Sequence, residues 1–95
     1  MKYEWTSHAK EDLRHAAAYY DSQREGLGAE FIVEVGIGIA RILDAPMCWP
    51  EIEQDVKKYR LDRFPFGILY HLPNAHKIQI AAIFDLRRLP GSWRR

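Results

Sequence analysis

Apolar and polar positions follow two rhythms along this chain, and the change of rhythm divides it. Lys2 to Trp5 alternates, with Tyr3 and Trp5 on one side, as a short strand does. Thr6 and Ser7 then supply N-cap chemistry. Ala9, Leu13, Ala16, Ala17 and Tyr20 recur at helical spacing, with His8, Asp12, His15 and Tyr19 on the opposite face. The helix is expected to fade near Arg24, because Gly26 follows.

Gly26 to Pro46 fits both rhythms. Leu27, Phe31, Val35, Ile39 and Ile42 form a helical stripe, while Phe31, Val33, Val35, Ile37 and Ile39 alternate as a strand would. The β-branched residues and the interleaved Gly36 and Gly38 favour a strand locally. The length of the run, and Glu30, Glu34, Arg41 and Asp44 at helical spacing, favour a helix. The expectation is a helix, with Gly36 and Gly38 admitting another backbone, most simply that of the first helix. Ile32, Val33 and Ile37 lie off the main stripe and are expected to stay exposed as a partner site.

Beyond a loop marked by Pro46, Trp49 and Pro50, and continued through Glu51 and Glu53, the period falls to two. Val56 to Leu61, Phe66 to Leu72 and Lys77 to Phe84 read as strands, with Pro73 to His76 as a hairpin turn. Phe66, Ile68, Tyr70 and Leu72 share one face. Ile78, Ile80, Ala82 and Phe84 share a face of the last strand. The predicted order is β-α-α-β-β-β, an α+β fold in which an antiparallel sheet packs against an N-terminal helical hairpin. Ninety-five residues without repeat or linker make one domain.

Charge changes the picture more than composition does. Met1 to Asp55 carries 5 Lys/Arg against 11 Asp/Glu, a balance of −6, and Val56 to Arg95 carries 9 against 2, a balance of +7. A basic half of this kind suits an anionic partner. Lys58, Arg60, Arg87, Arg88 and Arg94, with Trp93 among them, form the candidate anion-binding set; cations beside an aromatic ring suit phosphates and stackable bases. The start of the chain lacks the apolar core of a signal peptide, and no apolar run has membrane-spanning length. The lone Cys48 forms no internal disulfide and fits a cytoplasmic protein. His8, His15, His71 and His76 show no metal-ligand spacing, and no phosphate-binding glycine loop is present, so neither metal nor cofactor is expected. The chemistry left open is phosphodiester cleavage with Lys and Arg as charge stabilisers.

Tyr59-Arg60-Leu61, Phe64-Pro65-Phe66-Gly67-Ile68-Leu69-Tyr70, Ile78 to Phe84, and the ending Arg87-Arg88-Leu89-Pro90-Gly91-Ser92-Trp93 together resemble the ParE/RelE superfamily of toxins from type II toxin–antitoxin (plasmid stabilisation) systems. The resemblance runs nearly end to end and is closest to the ParE-like branch. It implies a small cytoplasmic toxin held silent by a cognate antitoxin, in a hetero-oligomer with it. ParE-like members inhibit DNA gyrase; RelE-like members cut mRNA on the ribosome. For a nuclease the matching positions are Lys58 or Arg60, Arg87, and Trp93 where a late Tyr is usual. Trp stacks on bases but has no titratable hydroxyl. A third outcome is a degenerate toxin that only binds its antitoxin. It is suggested by Asp85, which stands near where many ParE-like sequences carry His and would draw Arg87 into an internal ion pair. Ile32, Val33 and Ile37 are the antitoxin-binding candidates, covered by an acidic, partly apolar tail.

Overall fold

A computed structural model describes residues 1–89 and 91–93. The elements are β1 (Lys2–Trp5), α1 (Ser7–Gln23), α2 (Leu27–Asp44), β2 (Glu51–Glu53), β3 (Val56–Arg60), β4 (Phe66–Asn74) and β5 (Lys77–Asp85). They build one five-stranded sheet in the order β1-β5-β4-β3-β2, with the helical hairpin on one face. The α+β class and helical hairpin are those expected. Two details are added. β1 pairs parallel with β5, because α1 and α2 follow it and no hairpin can return the chain beside it. Glu51 to Glu53, expected as loop, is a short edge strand antiparallel to β3.

α1 begins where the pattern places it. Thr6 caps it, its hydroxyl accepting the Ala9 N–H at 3.1 Å. The same residue ties the helix start to the sheet: Thr6 N–H donates to the Ile80 carbonyl, and its hydroxyl to the Ala81 carbonyl. The ambiguous stretch is helical. Phe31, Val35, Ile39 and Ile42 are buried, and Phe31 meets Tyr20, Phe64 and Phe66 in an aromatic cluster with ring centroids 5.1–5.3 Å apart. Tertiary burial of this stripe outweighs the glycines' cost to the helix.

The glycines act differently from expectation. Gly28 is the one set against α1, under the Ala17 carbonyl, with its N–H on the Asp21 carboxylate at 2.7 Å. Gly38 meets the sheet: a Cβ there would stand 2.8 Å from the Tyr59 ring and 2.9 Å from Ile68 Cδ1. Gly36 faces open space.

β5 breaks its own alternation. Leu69 pairs with Ala82 but Tyr70 with Ile80, so Ala81 is an extra residue on β5, a bulge. Before it, Ile78 and Ile80 point into the main core. After it, Ile83 does, and Ala82 and Phe84 turn to the sheet's other face. There they join Val56, Leu69 and Trp93. The four-residue face expected for β5 is therefore split between both sides of the sheet.

Candidate target and partner surfaces

β5 outruns β1, whose last pairing is Trp5 with Ile80. α1 covers the strand beyond that point: the Asp12 carboxylate accepts the Ile83 N–H at 3.1 Å. Past Asp85 the chain turns, with Arg88 N–H donating to the Asp85 carbonyl. Arg87 and Arg88 are thus delivered to the seam between α1 and the sheet. A groove of about 470 Å³ opens there, lined by Asp12, His15 and Tyr19 of α1 and by Asp85, Arg87 and Trp93. The sequence pattern places His15 and Tyr19 only on a polar helix face. Their spacing with Asp12, at i, i+3 and i+7, was the signal that they share one surface.

Arg87 does not reach freely into this groove. Its Nε and Nη2 donate to the two Asp85 carboxylate oxygens, both at 2.9 Å, and its backbone N–H also donates to Asp85. This two-pronged contact is the internal pair that the sequence suggested. Hydrogen bonds from Arg87 hold the Asp85 carboxyl below the ordinary carboxylate range, against the opposing effect of burial. The same bonds raise the Arg87 guanidinium. The Arg87 side chain remains 61% exposed while that of Asp85 is only 18% exposed, so the carboxylate is committed and the cation is still accessible.

A second groove, about 330 Å³, lies on the sheet face away from the helices. Lys58, Leu69, Phe84, Leu86, Arg88 and Trp93 line it. Gly67 makes room for it: a Cβ there would stand 3.2 Å from Lys58 Cγ and 3.3 Å from Leu86 Cδ2. Arg88 and Trp93 border both grooves. Arg60 is on the same open face, paired across to Gly67, but lines neither groove. Trp93 is partly buried on the Val56–Leu69–Ala82 cluster, so much of its ring is engaged in packing. Arg94 lies outside the described residues.

The charge split is partly cancelled by folding. Arg63 donates to Glu30 at 2.8 Å and, through its backbone, to Glu34; Lys77 pairs with Glu4 at 3.1 Å. Lys58, Arg60 and Arg88 have no ion pair among the described residues. Among the described residues these three cations of the basic half are left for a partner.

The outer face of α2 is exposed as expected. Val33 is 62% exposed, and Ile32 and Ile37 are each 47% exposed. Ala29, Gly36 and Ala40 extend them into an uncharged stripe of about three turns. Of the helix's charged residues, Glu30 and Glu34 are engaged with Arg63, and Arg41 with Tyr59 and Asp62. Among the described residues no helix is long and apolar enough to cross a membrane.

A helical hairpin on one side of such a sheet, with an arginine turn after the last strand, defines a ParE/RelE-like α+β fold. By sequence the chain matches no family model and no curated protein. By structure it is similar to a chain of the chromosomal ParDE TA system from P. aeruginosa, with a TM-score of 0.79 at 19% identity, covering 90% of this chain and 96% of that one. At that identity the likeness establishes the fold.

Proposed function

We propose that this protein is the toxin of a type II toxin–antitoxin pair, a ParE-like cytoplasmic inhibitor of DNA gyrase that acts by binding and is silenced by a cognate antitoxin. The resemblance of its motifs and the likeness of its fold to a ParDE system chain support the toxin reading. One observation favours binding over strand scission. Arg87 is held by Asp85 in the groove beside α1, whereas Lys58 and Arg60 stand on the opposite face of the sheet. The three cations that a nuclease would bring to one phosphate do not share a groove. Scission without metal needs such convergence on the developing charge.

Gyrase supercoiling measured with purified toxin tests this. Inhibition that rises with toxin concentration and disappears on adding antitoxin supports it; unchanged supercoiling at excess toxin refutes it. The runner-up, a ribosome-dependent endoribonuclease, draws on Lys58 and Arg88 beside Trp93 in the open-face groove. Discrete cuts by primer extension on translated mRNA would transfer the function to that reading. Induced expression without any effect on growth would leave a degenerate toxin that only binds its antitoxin.

The partner surface follows from α2. An amphipathic antitoxin segment laid on Ile32, Val33 and Ile37 covers apolar area at roughly 25 cal/mol per Å², so each 100 Å² contributes about 2.5 kcal/mol before association costs. Acidic residues of that segment meeting the unpaired cations fix its register. Co-purification with the neighbouring small reading frame that survives high salt supports apolar docking on α2. Loss at high salt shifts the weight to charge.

A further inference from the structure

We propose that the groove between α1 and the end of β5 is a carboxylate-exchange site: Asp85 occupies Arg87 in the free toxin, and an Asp or Glu side chain of an acidic partner segment replaces it on binding. The inference deepens the toxin–antitoxin reading and rests on it for the partner's identity. Arg87 presents the Nε–Nη2 edge of its guanidinium to two carboxylate oxygens at 2.9 Å each. That planar, two-bond arrangement is the one by which arginine recognises a carboxylate from another chain. The occupant is supplied from two residues away, by a strand-end residue already fixed by pairing with Phe66. The guanidinium is more than half exposed, so an incoming carboxylate can approach without unfolding anything.

The rest of the groove selects the ligand. Ala16, Phe66, Ile83 and Phe84 contribute apolar walls beside Tyr19 and Trp93. Asp12 and Asp85 place two carboxylates in it against Arg87 and Arg88. A nucleic-acid backbone would bring successive phosphates against those acids. A peptide segment with one acidic residue beside apolar ones brings a single carboxylate, exchanges it for Asp85, and lays its neighbours on the aromatic walls. The exchange replaces one ion pair by another of the same kind, so it alters partner preference more than total affinity. Asp85 thereby screens Arg87 against indiscriminate anions while leaving it open to a segment that also gains apolar contact.

Two variants and two peptides test this in the full chain. The probes are a synthetic Ser-Leu-Glu-Leu-Ser peptide with both termini blocked, its Gln counterpart and inorganic phosphate, titrated while following the Arg87 Nε–H and Trp93 Nε1–H resonances. Asp85→Asn keeps an acceptor for the Arg87 backbone N–H and removes the competing charge. It is expected to bind the Glu peptide about 1.5- to 5-fold more tightly than the unaltered protein, the range an exposed ion pair spans. Arg87→Lys, which keeps the charge but loses the fork, is expected to lose that gain when combined with Asp85→Asn. The Gln peptide is expected to bind equally to all forms. Equal Glu-peptide affinity with and without Asp85, or an equal gain for the Gln peptide, overturns the exchange. A gain for phosphate that exceeds the gain for the Glu peptide overturns the carboxylate assignment. None of these readouts involves gyrase, so a toxin that exchanges carboxylates yet leaves supercoiling untouched would refute the proposed target alone.

Discussion

Gly36 and Gly38 sit in the same helix two residues apart, and replacing each by alanine separates what the sequence could not. Both substitutions remove a helix-interior glycine, a gain of about 1 kcal/mol each. At Gly36 the new methyl meets open space, and that gain is expected in full. At Gly38 it would stand 2.8 Å from the Tyr59 ring. That ring cannot yield cheaply. Its hydroxyl accepts from Arg41 at 2.9 Å, and its ring stands nearly perpendicular to that of Trp49 with centroids 4.8 Å apart. Ile68 Cδ1, 2.9 Å away, belongs to a fully buried side chain. Overpacking of this kind costs about 1–3 kcal/mol. The helix term is common to both variants, so their difference isolates the packing term, near 2 kcal/mol. For a domain of this size that separates their melting temperatures by roughly 8–16 °C, with Gly38→Ala the lower. Thermal and urea unfolding of the two variants provide the measurement. If both melt within about 2 °C of each other, α2 does not seat on Tyr59 as described, and the argument that Gly38 sets the helix-to-sheet distance fails.

Four further outcomes are expected. Tyr70 donates to the Pro46 carbonyl at 2.7 Å, and burial pushes its phenol up to about 12. A raised folded value favours the protonated form, so this contribution to stability is complete below the unfolded value near 10 and is lost as pH rises from about 10 to 12; urea midpoints of Tyr70→Phe should fall less across that window than those of the unaltered chain. Tyr70→Phe also leaves the Pro46 carbonyl without its donor and should cost about 1–3 kcal/mol at neutral pH. Val33→Lys or Ile37→Lys, at exposed positions, should change stability by less than about 0.5 kcal/mol yet abolish antitoxin co-purification; retained co-purification would remove α2 from the partner surface. Trp93→Ala should lower stability by about 1–3 kcal/mol, because the ring packs on the Val56–Leu69–Ala82 cluster; an unchanged melting temperature would return Trp93 to a purely target-facing role.

The helices were legible because burial imposed a period on them. Ala9 and Ala16 of α1, and Phe31, Val35, Ile39 and Ile42 of α2, are the buried residues that their spacing named. β3 and β4 were legible for the same reason at period two, down to Lys58 and Arg60 facing away from Tyr59. β5 was not. Ala81 and Ala82 suit either face of a sheet, so nothing in the pattern marks which of them is the extra residue. The bulge is fixed by pairing with β4 and by the Thr6 contact to the Ala81 carbonyl. β2 was missed because Glu-Ile-Glu carries little apolar surface. Its strand rests on backbone pairing with β3, whose Lys58 N–H also reaches the Pro50 carbonyl. The Asp85–Arg87 pair was legible from two residues of sequence. The grouping of Lys58 rather than Arg60 with Arg88 and Trp93 depends on Gly67 and on the turn after β5, neither of which sequence spacing encodes.

The bulge also accounts for why the cations divide between two surfaces. Without Ala81 as an extra residue, strict alternation would leave Ala82 and Phe84 facing the helices with Ile80, and would turn Ile83 and Asp85 to the open face. The Asp85 carboxylate would then lie away from α1, and Arg87 would be paired on the same side as Lys58. One register step inverts this. It returns Ile83 to the core, where its N–H finds Asp12, and it sets Phe84 on the open face, where it packs beside Trp93 against the Val56–Leu69–Ala82 cluster. Asp85 falls into the seam beside Tyr19 and His15 and holds Arg87 there. Lys58 and Arg60 on the open face have no ion pair among the described residues. A single inserted residue in β5 thus separates a screened cation from unscreened ones, and a partner that engages both must wrap around the end of the sheet, past Arg88 and Trp93, which border both grooves.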